Sequence, residues 1–220
     1  MIPKVIHYIW LGGKPLPVLE SKCISTWRKY LPDYEIKCWD ESNYSPDNKY
    51  YQAALRKRQW AFCADYARMD ILLNHGGIYL DTDMEILKPL DMFLDNECFV
   101  GRESDVSLSC GIIGAVKGNV FIKDCFDEVK KSLASDFIPI PKIFNYVFKN
   151  SSYDKIGIYE KEYFYPYNPF AYELKNLMFM DITPNTHAIH HWSYSWKPSI
   201  TERVINKIKR TIKKNKVLKK

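Results

Sequence analysis

Residues 76–83 read Gly76-Gly77-Ile78-Tyr79-Leu80-Asp81-Thr82-Asp83. The glycine pair can adopt the left-handed backbone conformation that commonly ends a helix. The three apolar residues after it predict a short buried strand, and two aspartates follow that strand at once. Open α/β sheets bind their ligands at the carboxyl ends of the strands. This segment therefore predicts an α/β fold with a ligand site beside Asp81 and Asp83.

The flanking sequence extends the α/β pattern in both directions. Residues 59–75 predict a helix, because apolar side chains recur there at steps of three and four. Residues 43–50 are polar and predict a loop, whereas residues 137–180 are rich in aromatics and proline and give no firm assignment. We expect a single α/β domain over residues 1–198. The other predicted helices cover residues 19–30 and 119–133, and the other predicted strands cover residues 5–10, 35–39, 98–101, 111–115 and 186–192.

The composition fits one globular domain. The 220 residues are 46% hydrophobic and 26% charged, which excludes a disordered chain or a small disulfide-stapled scaffold. The net charge is +6, yet residues 203–220 hold nine basic residues and no acidic one, so subtracting nine leaves residues 1–202 at −3. A nucleic-acid-binding domain would carry positive charge on its folded face. The sequence therefore predicts no nucleic-acid partner.

Cysteine spacing and hydropathy give an expectation about the compartment. The six cysteines form no Cys-x-x-Cys pair and no zinc-ligand spacing. They lie in apolar runs, as buried thiols in a reducing compartment would, although three disulfides are also compatible with their number. No run approaches the ~18 apolar residues that span a bilayer, and the first residues lack the order of a signal peptide. We therefore expect a cytoplasmic protein.

The two aspartates have the spacing of a cation site. At positions i and i+2, Asp81 and Asp83 can direct carboxylate oxygens to one divalent cation. Such a cation can bridge a diphosphate and neutralise charge on a phosphate leaving group. The alternative is a loop with two solvated aspartates. In the preceding helix Asp65 and Arg68 share a face, either as part of the site or as a surface ion pair worth under ~1 kcal/mol.

Three ordered motifs together resemble a known family. They are Ala64-Asp65-Tyr66-Ala67-Arg68 with residues 76–83, then Ile2-Pro3-Lys4-Val5-Ile6-His7-Tyr8-Ile9-Trp10-Leu11-Gly12-Gly13, and Ala188-Ile189-His190-His191-Trp192-Ser193-Tyr194-Ser195-Trp196. The chain resembles glycosyltransferase family 32, the DXD-containing sugar transferases that include capsular-polysaccharide and mannosyl transferases. It is also similar to the catalytic domain of the clostridial glucosylating toxins. The resemblance implies a GT-A type nucleotide-sugar-binding domain with a mixed, mostly parallel sheet flanked by helices.

The resemblance also implies a binding role for four residues of the donor site. Ile9 and Trp10 would hold the nucleotide base, with the indole stacked on it. Asp65 and Arg68 would contact the donor sugar and the diphosphate, since an arginine fork suits anionic oxygens. The implied donor is a nucleotide-diphosphate sugar, and UDP is the favoured nucleotide.

For the cation, the resemblance implies ligands from two distant parts of the chain. Asp83 would bind it directly, Asp81 would contact the sugar or ribose and help to place it, and His190 would add a further ligand. An imidazole beside carboxylates favours Mn²⁺ over Ca²⁺, and Mg²⁺ is the other candidate cation. His191 would point to the opposite side of a strand and remains the alternative to His190.

The implied reaction is a metal-dependent transfer of a hexose to a saccharide acceptor with retention of configuration. The catalytic residues would be Asp81, Asp83 and Arg68, which together with the cation stabilise the leaving charge. Ser195 and Trp196 would lie over the diphosphate as part of a closing loop. No carboxylate is identified as a covalent nucleophile, which favours a front-face substitution. The expected setting is bacterial capsule, lipopolysaccharide or exopolysaccharide synthesis.

One departure from the family pattern concerns the side of the site that faces the reacting sugar. Related enzymes often carry Asn just before the strand at residues 111–115, where this chain has Ser109-Cys110. The difference either alters the sugar preference or transfers the contact to Ser109.

Residues 199–220 form a second region. Ser199 and Glu202 have the spacing of a capping box that begins a helix. That helix would surround an apolar stripe with lysines and arginines, a pattern typical of binding to an anionic membrane surface. Because acceptors in capsule assembly are usually lipid-linked, we expect a peripheral enzyme on the inner face of the cell membrane. A solvated, frayed helix end is the alternative.

Two other functions fit parts of the pattern. A haloacid-dehalogenase-type phosphatase also places Asp-x-Asp after a strand, but it needs Thr or Val two residues beyond the second aspartate, where this chain has Glu85. A non-catalytic sugar-nucleotide or carbohydrate-binding module would more naturally lack an aspartate or His190. Turnover of UDP- and GDP-sugars would separate both from a transferase.

Overall fold

The computed structural model describes residues 1–135, 137–170 and 176–193. Strands and helices alternate up to residue 80, as the sequence predicts, except that two helices follow one another at Lys49–Arg56 and Trp60–His75. The strands are β1 (Val5–Ile9), β2 (Glu35–Trp39), β3 (Gly77–Leu80), β4 (Met84–Ile86), β5 (Cys98–Ser104), β6 (Ser107–Ala115), β7 (Ile156–Tyr159) and β8 (Ala188–His190). The helices are α1 (Val18–Tyr30), α2 (Lys49–Arg56), α3 (Trp60–His75), α4 (Val120–Lys131), α5 (Ile140–Asn150) and α6 (Lys161–Phe164), with short 3₁₀ turns at Asp91–Phe93, Ser132–Ser135 and Phe179–Asp181.

Within the described residues, a six-stranded sheet has the order β2-β1-β3-β6-β5-β7. Strands β1, β2 and β3 pair in parallel, as do β5 and β7, and β6 runs antiparallel to both of its neighbours. The mixed, mostly parallel sheet is therefore confirmed. Five strands direct their carboxyl ends to one edge, and the aspartates that follow β3 lie at that edge.

A second, two-stranded ribbon brings a distant segment to the aspartates. Strands β4 and β8 pair antiparallel, with Met84 opposite His190 and Ile86 opposite Ala188. Because β4 begins directly after Asp83, this pairing places the end of β8 beside the turn that carries both aspartates.

The sheet separates two apolar clusters. Adjacent residues of β3 face opposite sides, since Ile78 and Leu80 belong to one cluster and Tyr79 to the other. Helices α2 to α5 cover the Tyr79 side, whereas α1 and α6 cover the Ile78 side. With helices on both faces, the central strands β1, β3 and β6 are largely buried, whereas the edge strands β2 and β7 remain partly exposed.

Two local predictions are confirmed by the caps of the helices. Helix α3 ends at His75, and the Gly76 N–H donates to the Leu72 carbonyl at 2.9 Å with Gly76 at φ +67°. Helix α4 begins after Asn119, whose side chain accepts from the Ile122 N–H at 3.2 Å. A capping side chain of this kind satisfies one of the unpaired N–H groups of the first turn.

Other sequence predictions need correction. The predicted loop at residues 43–50 ends earlier, because α2 begins at Lys49 with Asn48 as its N-cap, accepting from the Tyr50 N–H at 2.9 Å. The predicted strand at 186–192 shortens to β8, since Trp192 has φ +55° and leaves the extended conformation. Helix α5 and strand β7 form within the region without a firm assignment. In the described ranges, none of the helices combines the length and apolar character needed to cross a membrane.

Candidate active site

The turn after β3 is held rigidly by backbone hydrogen bonds. The Asp81 N–H donates to the Gly111 carbonyl of β6 at 2.8 Å, and the Met84 N–H donates to the Asp81 carbonyl at 3.0 Å. From the ribbon, the His191 N–H donates to the Asp83 carbonyl at 3.1 Å. Two sheets therefore fix the backbone that presents both carboxylates.

Asp81, Asp83 and His190 converge at this turn. One potential ligand atom from each lies within 4.8 Å of the other two. Asp83 and His190 are only 7% and 9% exposed, and His190 Nε2 lies 3.2 Å from Asp83 Oδ1. His190 Nδ1 is buried without a hydrogen-bond partner among the described residues. Two carboxylates and an imidazole form a donor set that fits a divalent cation such as Mn²⁺.

The structure treats the two adjacent histidines differently. His190 faces the aspartates, whereas His191 Nε2 lies 2.8 Å from Glu85 Oε2, on the other side of the ribbon. This opposition follows from the alternation of side chains along a strand. His190 is therefore the histidine that the structure brings to the pair.

The electrostatics of the cluster couple a carboxylate with an imidazole. Burial acts to raise the pKa of Asp83, but the hydrogen bond and charge of His190 and the Ser193 N–H outweigh it and lower that pKa to about 2. Burial acts to lower the pKa of His190, and Asp83 together with Asp81 and Glu103 raises it above its usual value. An ionised Asp83 is thus retained over the whole physiological range.

Arg68 links two other predicted site residues, Asp65 and Asp81. Its NH1 donates to the Cys110 carbonyl at 2.7 Å, and its NH2 lies 3.3 Å from both Asp65 Oδ1 and Asp81 Oδ1. Arg68 is 7% exposed, and its guanidinium carbon lies 4.5 Å from the centre of the Tyr79 ring. The sequence left open whether Asp65 and Arg68 form a surface ion pair, and the structure shows that the pair is buried.

Asp65 is more deeply buried than a side chain that binds a ligand at the protein surface. Its Oδ2 accepts from the Ile140 N–H at 3.2 Å. Burial raises its pKa to about 6, against the opposing effect of Arg68. Asp81 in turn accepts from the Tyr79 hydroxyl at 2.8 Å. Asp65, Arg68 and Asp81 therefore form one network, in which Arg68 orients Asp81.

The predicted base-binding residues lie at the end of the neighbouring strand. Ile9 is the last residue of β1 and is buried in the core, whereas Trp10 is partly exposed and its indole N–H donates to the Lys14 carbonyl at 2.5 Å. Since β1 and β3 are parallel neighbours, Trp10 lies at the same sheet edge as Asp81. Ser195 and Trp196 lie outside the described residues.

Several residues at the site were not identified from the sequence. The Ser193 N–H donates to Asp83 Oδ2 at 2.8 Å, and the Ser193 hydroxyl donates to Glu20 of α1 at 2.8 Å. The Trp192 ring centre lies 4.2 Å from that of His190. Ser193 and Trp192 belong to the motif at residues 188–196. The sequence around Glu20, by contrast, contains no pattern that indicates a role at the site.

The Ser109 side of the site contains a further carboxylate. Ser109 is buried, and its hydroxyl acts to lower the pKa values of Glu103 and Tyr165 against the larger effect of burial. Burial raises the pKa of Glu103, which is close enough to His190 for their charges to interact. Tyr165 is fully buried and accepts from the Ile112 N–H at 2.9 Å. The position where related enzymes often carry Asn is thus part of a polar wall.

Comparisons with known sequences bear directly on this region. The family model described as "Glycosyltransferase sugar-binding region containing DXD motif" matches residues 17–100, which include α3 and both aspartates. A glycosyltransferase of Acanthamoeba polyphaga mimivirus is 28% identical and aligns with 91% of this chain and 86% of its own length. Inositol phosphoceramide mannosyltransferase 3 of Schizosaccharomyces pombe is 28% identical over 55% of this chain, which spans only 35% of that relative.

Two solved structures share the architecture. The PaToxG glycosyltransferase has a TM-score of 0.57 at 20% identity, covering 68% of this chain and 69% of that protein. The galactosyltransferase LgtC, solved with donor and acceptor sugar analogues, has a TM-score of 0.52 at 15% identity, covering 90% of this chain and 91% of its own. At such identities the likeness concerns the fold, and it agrees with the architecture expected from the sequence.

Proposed function

Because this chain is a glycosyltransferase of the GT-A type with a DXD-containing region, we propose that it moves a hexose from a nucleotide-diphosphate sugar to a saccharide acceptor with retention of configuration. UDP is the favoured nucleotide and Mn²⁺ the favoured cation, with Mg²⁺ as the alternative. The observation that carries the proposal is the convergence of Asp81, Asp83 and His190 beside the buried Arg68. Carboxylate, imidazole and guanidinium groups at one sheet edge suit a diphosphate leaving group.

In this proposal the donor lies along the edge formed by β1 and β3. Asp81, Asp83 and His190 would hold the cation, which when bound neutralises charge on the leaving diphosphate. Trp10 would stack on the nucleotide base, and Ser195 and Trp196 would lie over the diphosphate. Arg68 adds positive charge next to Asp81 and keeps the carboxylate oriented, because its NH2 is shared between two aspartates.

A front-face substitution accounts for retention. The acceptor hydroxyl attacks the anomeric carbon on the face from which the diphosphate departs, and its proton passes to the leaving phosphate oxygen. The contacts of two nearby carboxylates support this route over a covalent intermediate. Asp65 is tied to the Ile140 N–H and to Arg68, and Asp81 accepts from the Tyr79 hydroxyl. Neither is free to act as a nucleophile without losing these bonds.

The acceptor class is proposed from the relatives and from the basic region at residues 199–220. The Schizosaccharomyces pombe relative is by its name a mannosyltransferase of inositol phosphoceramide, a lipid-borne acceptor. We therefore favour a lipid-linked saccharide acceptor, and mannose is the first alternative sugar for the donor panel. Bacterial capsule, lipopolysaccharide or exopolysaccharide synthesis is the proposed setting, at the cytoplasmic face of the cell membrane.

The test is donor turnover with a cation series. The protein is incubated with UDP- and GDP-sugars in the presence of Mn²⁺, Mg²⁺ or EDTA, and release of the nucleotide and the anomeric configuration of the product are measured. We expect cation-dependent turnover of one donor and a product that retains the donor configuration. Tight binding of a nucleotide sugar without any turnover would instead identify a binding module.

The substitution Asp83→Ala should abolish transfer while the fold stays intact. The loss follows because Asp83 is the proposed direct ligand of the cation, and we expect a decrease on the order of 1,000-fold. Initial rates measure the effect, and circular dichroism checks the fold. The exposed Asp95 serves as a matched control, since Asp95→Ala removes a carboxylate away from the site. Substantial Mn²⁺-dependent activity of the Asp83→Ala protein would refute the assignment.

A further inference from the structure

Glu20 is a buried carboxylate that the proposed mechanism does not use. It lies in the first turn of α1 and is 2% exposed. A carboxylate is favourable near a helix N-terminus, where the backbone N–H groups carry partial positive charge. Burial of a charge is nevertheless costly unless the charge is hydrogen-bonded. Its side-chain partner in the described residues is therefore informative.

That partner leads directly to the cation site. Glu20 Oε1 accepts from the Ser193 hydroxyl at 2.8 Å, and the Ser193 N–H donates to Asp83 Oδ2 at 2.8 Å. The other oxygen of the same carboxylate, Oδ1, lies 3.2 Å from His190 Nε2. The last residue of β8 thus contacts one oxygen of Asp83 and the segment after β8 contacts the other, and Glu20 holds that segment against α1.

We propose that Glu20 is a positioning residue that acts through Ser193 to orient Asp83 toward the cation. The inference rests on the proposed function, because it assigns to Asp83 a role in cation binding. Removal of a group that orients a metal ligand through hydrogen bonds commonly weakens metal affinity 10- to 100-fold. A merely structural Glu20 would change the stability of the protein and leave its cation affinity unaltered.

The experiment measures binding of Mn²⁺ with UDP by titration calorimetry, together with thermal unfolding without ligand. The variants are Glu20→Ala, Glu20→Gln, Ser193→Ala and the double variant Glu20→Ala/Ser193→Ala. We expect Glu20→Ala to weaken binding about 10- to 100-fold. Glu20→Gln should bind nearly as the wild type does, because its amide oxygen can accept the same hydrogen bond. The double variant should bind Mn²⁺ with UDP about as tightly as the single variant of lower affinity, since both substitutions act through one contact.

Each contrary result has a distinct meaning. Wild-type affinity in Glu20→Ala, with lowered stability alone, overturns the positioning role. Additive losses in the double variant overturn the route through Ser193. If Glu20→Ala fails to fold, Ser193→Ala still decides, since unchanged affinity of that variant overturns the inference.

Glu35→Ala, which removes an exposed carboxylate paired with Lys37, is the matched control. Failure of the wild type to bind Mn²⁺ with UDP would overturn the proposed function itself, and the role of Glu20 with it.

Discussion

His7 shows how a single buried side chain determines a property of the whole fold. It lies in β1 and is 1% exposed. The indole N–H of Trp39 can only donate, so His7 Nδ1 accepts it at 3.1 Å and His7 Nε2 donates to the Gly76 carbonyl at 2.9 Å. Only the neutral ring with its proton on Nε2 satisfies both bonds. Burial lowers the pKa of His7 to about 4, against the opposing hydrogen bond to Gly76.

This pKa predicts a pH-dependent stability. Between about pH 6.5 and about pH 4 the unfolded chain binds a proton that folded His7 does not, so the free energy of unfolding falls as the pH is lowered. Above about pH 6.5 neutral His7 no longer costs stability. The loss in the free energy of unfolding caused by His7 at lower pH amounts to roughly 3 kcal/mol at most. Urea unfolding of wild type and His7→Phe at pH 7.5 and 4.5 measures it. We expect a smaller decrease in the variant, and equal decreases in the two proteins would contradict the prediction.

At the scale of elements, the connection from α3 to β3 aligns the turn that carries Asp81 and Asp83. Helix α3 ends at His75 and the strand begins at Gly77, only four residues before Asp81. Gly77 has φ +101°, and a Cβ on it would lie 2.7 Å from the Val5 carbonyl oxygen and 2.9 Å from His7 Nε2. The absence of a side chain therefore allows β1 and β3 to approach at the point from which the turn is positioned.

The substitution Gly77→Ala should destabilise the protein by about 2–4 kcal/mol, because it combines backbone strain with a clash against another backbone. Gly13 provides a matched control, since it also has a positive φ of +65° but a Cβ there would meet nothing within 4 Å. We expect Gly13→Ala to cost only about 1 kcal/mol. Urea unfolding of both variants compares them, and similar losses would show that contact with Val5 and His7 is unimportant.

At the scale of the whole molecule, charge divides along the chain. Residues 203–220 carry nine basic residues and no acidic one, whereas the preceding part sums to −3. The proposed membrane-binding helix at residues 199–220, like its boundary with the domain at 1–198, lies outside the described residues and stays a prediction. Its sequence basis is the apolar stripe of Val204, Ile205, Ile208 and Ile212 among lysines and arginines.

Deletion of residues 203–220 should release the protein from anionic vesicles. Each basic residue near an anionic surface contributes about 1 kcal/mol, so the tail would dominate binding. Co-sedimentation with vesicles rich in phosphatidylserine measures the effect, and vesicles of phosphatidylcholine alone are the control. Replacement of Lys207, Lys209, Lys213 and Lys214 by Gln should weaken binding without altering the length of the chain. Unchanged sedimentation of the shortened protein would contradict the prediction.

Local signals explain what the sequence predicted correctly. The spacing of apolar residues in α3, the cap at Asn119 and the two glycines before β3 are properties of neighbouring residues, so they can be read without tertiary information. The α/β class and the DXD turn at the carboxyl end of a strand follow from them. Helix α2 was missed because eight residues with a polar start resemble a loop until Tyr50, Tyr51 and Ala54 are seen to pack into the core.

The sequence by itself determined the fold class, the position of the two aspartates and the family resemblance, because periodicity, caps and motifs act over a few residues. Only the tertiary structure decided that His190 rather than His191 faces Asp83, since this depends on how β8 pairs with β4. The link from Glu20 to Ser193 joins residues 173 positions apart. Contacts of that range depend on strand pairing and helix packing, which no local pattern specifies.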